Sequence, residues 1–234
     1  MRSCYFLPII FLSIPAYAQQ NNYIGLQFGY DTGDFGTSVR TDLYATKLEL
    51  GTSREHYDAA ISVPYLALHE EGVGTETGVG DVIVNGGYLL LPETRQGISL
   101  KGSLAIKIPT ANEDKGLGTG KTDLGGFVTL NKHWSSFKGS IQFGYIKVGD
   151  PEGIDYKNIT LYSIGAYKDF ARTGVYVSLD GRTSMIEDAE NPLELHLSAF
   201  HVLNTRYALI GNTYVGLNNG GPDFGASFGL IRWF

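Results

Sequence analysis

The chain has 234 residues, a formal net charge of −6, 31 glycines, 15 tyrosines, 12 phenylalanines and one cysteine. The acidic balance, with no clustered Lys/Arg stripe to neutralise phosphates, excludes nucleic acid as a partner. No run beyond the N-terminus is apolar enough for a membrane helix, yet few secreted soluble proteins are so rich in both glycine and aromatics.

Residues 1–18 read as a secretory signal peptide. Arg2 is followed by the apolar stretch 5–14 and by Ala16-Tyr17-Ala18, a small-x-small cleavage site. Cutting there loses one charge, Arg2, so −6 becomes −7, and it removes Cys4, the only cysteine. The exported chain of residues 19–234 therefore forms without disulfides.

Twelve segments of strand period follow, at 23–30, 41–51, 57–68, 80–91, 97–109, 122–132, 137–148, 158–168, 174–182, 193–202, 206–217 and 224–234. Residues 97–108 show the pattern most clearly. Ile98, Leu100, Leu104, Ile106 and Ile108 point one way, and Ser99, Lys101, Ser103 and Lys107 the other. Such alternation fits a soluble sandwich or a membrane barrel, and the connectors decide between them. Connectors 52–56, 92–96, 133–136, 169–173 and 203–205 are short, whereas 69–79, 110–121, 149–157 and 183–192 are longer. Short turns alternating with longer loops, an even strand count and strands of membrane-spanning length predict an all-β fold. It is a single antiparallel transmembrane β-barrel in the outer membrane of a Gram-negative bacterium. Aromatics near strand ends (Tyr30, Tyr57, Tyr88, Trp134, Phe170) suit interfacial girdles. The final strand ends on Phe234, like the terminal strand read by the outer-membrane insertion machinery, which joins the membrane lipids as an expected partner.

In this frame the polar face lines the lumen. The candidates are Lys47, Glu49, Asp81, Lys101, Lys107, Asp123, Lys138, Gln142, Asp180, Arg182, Glu194 and His196. Their mixed charges suit a narrow polar pore passing small solutes, or pair with one another and close it. No cofactor or metal is expected, because His56, His69, His133 and His201 lack ligand spacing. Gly116 to Thr122 superficially suggests a phosphate loop, but Lys115 stands where the pattern needs glycine, and no helix follows.

Lys107-Ile108-Pro109-Thr110, Gly116-Leu117-Gly118-Thr119-Gly120 and Asp123, with Gly78-Val79-Gly80-Asp81 upstream, resemble the signature of an outer-membrane transporter family. That family is named for the meta pathway of phenol degradation. The resemblance implies a 12-stranded barrel, with Pro109, Thr110, Gly116, Gly118 and Gly120 in its motif loop, and passage of small solutes, aromatic ones included. Two other readings stay open. His196 and Ser198 share a face, as base and nucleophile do in barrel-embedded lipid hydrolases, although Leu193, Leu195 and Leu197 claim the lipid side. A non-conducting structural or adhesive barrel is the third.

Overall fold

The computed structural model describes residues 21–35, 39–93, 97–151, 153 and 155–234. The signal-peptide assignment lies outside them. The elements are β1 (Asn21–Gly33), β2 (Thr41–Ser53), β3 (Tyr57–Glu70), β4 (Gly74–Val79), β5 (Val82–Leu91), β6 (Ile98–Ile108) and a single 3-10 turn (Glu113–Lys115). They continue with β7 (Asp123–His133), β8 (Lys138–Lys147), β9 (Ile159–Phe170), β10 (Thr173–Arg182), β11 (Leu193–Val202), β12 (Tyr207–Gly216) and β13 (Phe224–Trp233). Each strand pairs antiparallel with its neighbours, β13 returns to β1, and β4 and β5 both pair with β3. The sheet is thus a closed 12-strand barrel whose fourth strand is broken once. Closure leaves no edge, which is what permits a sheet to sit in lipid.

The outward face is apolar. Leu104 is 70% exposed, Phe143 61%, Ile164 58% and Phe228 67%. Their strand neighbours point inward and are mostly covered, so the side chains a soluble protein would bury are on the outside. Tyr57, Tyr88, Trp134 and Phe170 all lie exposed at the short-turn end. The opposite end carries the long loops and is the end such barrels turn outward.

One connector differs from the expectation. Residues 69–79 are not a loop: β3 and β4 extend the hairpin, from Tyr65 opposite Val79 to Glu70 opposite Gly74, leaving a turn at 71–73. Gly72 and Gly74 both take positive φ there.

The break between β4 and β5 has a sequence cause. Gly80 donates its N–H to the Pro64 carbonyl at 2.8 Å, but proline has no N–H to return. The Gly80 carbonyl therefore lacks its ladder donor. Pairing resumes at Ser62 opposite Ile83, so Asp81 and Val82 together face Val63, a β-bulge. The extra residue turns both Gly80 and Asp81 inward.

Candidate functional site

The bulge organises the loop end of the lumen. The Thr110 hydroxyl donates to the Gly80 carbonyl at 2.9 Å and accepts the Val82 N–H at 3.0 Å, standing in for the partner that Pro64 cannot supply. The Asp81 carboxylate accepts the N–H groups of Thr110 and Ala111 at 3.1 and 3.0 Å. Lys107 lies 3.4 Å from Asp81 and 2.8 Å from Asp123, and donates to the Thr119 hydroxyl at 2.8 Å.

These bonds pull loop 109–122 into the barrel mouth. Leu117 and Thr119 are buried, and Leu117 packs on Leu43, Ala45, Leu66 and Leu68, inward residues of β2 and β3. Gly116 and Gly120 take the left-handed conformation. Gly118 passes so close to Asp81 and Ala111 that an added Cβ would fall 2.8 and 2.7 Å from them. The two sequence patches around Gly78 and Gly116 are therefore one knot in space.

The twelve polar candidates all fall on inward-facing positions of the register. Most are paired. Lys47 lies 3.6 Å from Glu49, which also accepts from Tyr23 at 3.0 Å. Lys101 is hydrogen-bonded to Asp58. Gln142 donates to Thr129 at 2.8 Å. Arg182 donates to Glu194 at 2.8 Å, and His196 Nε2 lies 3.0 Å from Glu194 and 3.5 Å from Asp180. Lys138 forms no ion pair or side-chain hydrogen bond among the described residues.

His196 and Ser198 are both buried and face inward, away from lipid. They are not bonded to each other: His196 Nδ1 and Ser198 Oγ both lack a partner. The His196 ring instead stacks on Tyr214, whose hydroxyl donates to Asp31 at 2.5 Å. No cluster of metal-binding side chains occurs among the described residues.

Asp31, Asp58 and Tyr214 complete these networks but did not stand out in the sequence, and neither did the apolar part of the lumen. At the loop end, Ala105, Phe127, Ile146, Val148 and Ile159 pack together on the inner face of β6 to β9. At the turn end, Tyr23, Ala60, Phe200, Ala208, Ile231 and Trp233 form a second cluster, centred on β11 to β13 and β1. The signal for the turn-end cluster was available: Phe200 and Val202 continue the parity of Glu194, His196 and Ser198 along one strand.

Residues 15–176 match the family described as "Putative MetA-pathway of phenol degradation", and the chain belongs to that family. No curated protein matches it by sequence. Among solved structures, an outer membrane channel from Pseudomonas putida superposes with a TM-score of 0.80 at 14% identity, covering 98% of this chain and all (100%) of that one. The KdgM porin, solved in complex with a disordered oligogalacturonate, gives 0.61 at 5% identity, covering 90% of this chain and 99% of its own. Outer membrane phospholipase A from Escherichia coli gives 0.50 at 10%, covering 94% and 93%. At such identities the likeness is one of fold, and with the apolar outer belt it makes this an outer-membrane β-barrel.

Proposed function

We propose that the protein is a passive outer-membrane channel for small solutes, monoaromatic compounds included, and that it has no catalytic activity. The observation that carries this is the tethered loop. A loop tied inside the mouth by Asp81, Lys107 and Asp123 occupies part of the lumen, with the apolar Leu117 packed against the inward side chains of β2 and β3. A structural barrel needs no such internal tether. The family description adds phenol degradation as the chemical context.

The hydrolase reading is weakened by geometry. A barrel enzyme acting on lipid needs its nucleophile toward lipid, and Ser198 faces inward with no bond to His196. The terminal strand β13, which pairs with β1 to close the barrel, is the segment we assign to recognition by the insertion machinery.

The test combines two measurements on the refolded protein and on cells. Discrete single-channel currents in a planar bilayer are expected. Faster uptake of a labelled monoaromatic is expected in a porin-depleted strain expressing the barrel. Silence in both assays would leave a structural barrel. Lipid hydrolysis by wild type that disappears in Ser198→Ala would establish the enzyme instead.

A further inference from the structure

Charge is sorted along the barrel axis and between its two faces. Among the described residues, the loop-end connections hold ten acids and four bases. On the outer surface at the turn end the balance inverts. The charged side chains that the described strands turn outward there are Lys132 on β7, Lys168 on β9 and Arg232 on β13, all basic. The acids of the same strand ends point inward and are held there: Glu49 accepts from Tyr23, Asp58 bonds Lys101 and Asp169 accepts from Tyr167. Glu55 and Glu93 lie in the turns, Glu93 paired with His133 at 3.0 Å.

Two of the outward bases flank an aromatic platform. Lys132 pairs with Gly139 and Gly139 with Ala166, all three on the outer face, and Lys168 lies two residues beyond Ala166 toward the turn. The two lysine Cα atoms are therefore about 12 Å apart, two strand spacings across and two residues along. Trp134 and Phe137 stack between them, with ring centroids 4.7 Å apart and planes at 18°. The indole lies over Gly139, where an added Cβ would fall 2.7 Å from the ring. Phe170 stands beside Lys168, whose Nζ is 5.2 Å from the ring centroid. All three rings are exposed. Aromatics at this level mark the boundary between hydrocarbon and headgroups, so lysines beside them reach the headgroup layer over their apolar stems.

We infer that the turn-end outer face of β7 to β9 is a binding site for an anionic phospholipid of the periplasmic leaflet. The phosphate diester sits between the Lys132 and Lys168 ammonium groups, and the glycerol backbone rests on Trp134 and Phe137. The acyl chains run along Leu130, Ile141 and Ile164, outward side chains of the same three strands. The site is on the lipid side of the wall, so it is independent of whether the lumen conducts.

Charge selects the headgroup. A lysine ammonium is a compact point charge on a flexible stem, suited to a phosphate approached from either side. One basic side chain near an anionic lipid surface is worth about a fivefold preference. In a phosphatidylcholine or phosphatidylethanolamine headgroup the outermost group is itself a cation, which two lysines repel. In phosphatidylglycerol it is a neutral glycerol, so the phosphate charge is unopposed. Lipid A phosphates carry the same charge in the opposite leaflet, but the barrel meets that leaflet at its acidic loop end.

The chain supplies its own reporter, because of its two tryptophans Trp134 lies at this site and Trp233 is enclosed in the lumen. The refolded barrel is placed in phosphatidylcholine vesicles in which the same fraction of lipid is brominated phosphatidylglycerol or brominated phosphatidylcholine. Tryptophan quenching is measured in wild type and in Trp233→Phe, with folding checked by heat-modifiable mobility. Brominated phosphatidylglycerol is expected to quench Trp134 as if enriched about fivefold over its share of the bilayer. The enrichment should vanish in the Lys132→Gln, Lys168→Gln double variant and persist in Arg232→Gln, which changes the same charge elsewhere on the rim. Equal quenching by the two lipids in wild type, or enrichment that survives the double variant, overturns the inference. So does its loss in Arg232→Gln, which would mean a diffuse positive rim with no site on β7 to β9.

Discussion

Thr110→Val tests whether a side chain really replaces the ladder partner that Pro64 cannot provide. Valine keeps the shape and removes the hydroxyl that donates to the Gly80 carbonyl at 2.9 Å and accepts from the Val82 N–H at 3.0 Å. A typical net hydrogen bond contributes roughly 1 kcal/mol, and a buried group left unpaired costs about 1–3 kcal/mol. Gly80 is buried, whereas Thr110 itself is exposed to water, so the lower half of that range applies and the loss should be about 2 kcal/mol. The decisive variant is Pro64→Ala. It restores an N–H opposite Gly80, whose own N–H already bonds to residue 64, so the regular ladder bond can form. Alone it should be nearly neutral. In the Thr110→Val background it should recover about 1 kcal/mol, half the loss, because the Val82 N–H stays unpaired. Urea unfolding in lipid vesicles, run as a double-mutant cycle, measures this directly. Additivity within about 0.5 kcal/mol would refute the substitution of Thr110 for the missing strand partner.

Two further outcomes follow from the same structure. Lys107→Met leaves two largely buried carboxylates without their shared cation, although Asp81 keeps two backbone donors and Asp123 keeps the Gly149 N–H. The expected cost is about 3 kcal/mol, with protease access to loop 109–122; adding Asp123→Asn should recover part of it, and an intact, protected loop would contradict the tether. Leu104→Arg, at an outward position 70% exposed, should cost roughly 2–4 kcal/mol in bilayers if that position lies near the midplane, and Ser103→Ala on the inward face far less. Equal costs in reversible unfolding would mean that the two faces have been assigned the wrong way round.

The barrel was legible because its signal is periodic and local. Lys101 and Leu104 in β6 declare opposite faces through parity alone, and the alternation of connectors adds the closure. The lumen was less legible, for two physical reasons. Charge marks inward positions only where the wall is polar, so Ile231 and Trp233 read like lipid-facing residues until the register places them inside. Partners beyond the adjacent strand are also invisible to strand period: Asp58 of β3 bonds Lys101 of β6 over β5, and Asp31 of β1 bonds Tyr214 of β12 over β13. The hairpin extension at 74–79 was misplaced because Gly74 and Gly78, with acidic Glu76 between them, look like loop. Pairing with the end of β3 outweighs those weak local preferences.

Pro64 connects these observations. A proline within a strand pattern ordinarily argues against a central strand, since the missing N–H leaves a carbonyl unpaired. Here that carbonyl belongs to Gly80, and the cost is offset by recruiting Thr110 from the next loop. Once Thr110 is anchored, its N–H and that of Ala111 point at Asp81, which the bulge has turned inward. Asp81 then holds Lys107, Lys107 holds Thr119, and the intervening loop can only run through the mouth of the barrel. Removing the hydrogen from one backbone nitrogen of β3 thus sets the position of Leu117 on the far side of the motif. The glycines follow from this rather than lead it: Gly118 is small because Asp81 is already there. A defect in the wall is what positions the loop in the lumen.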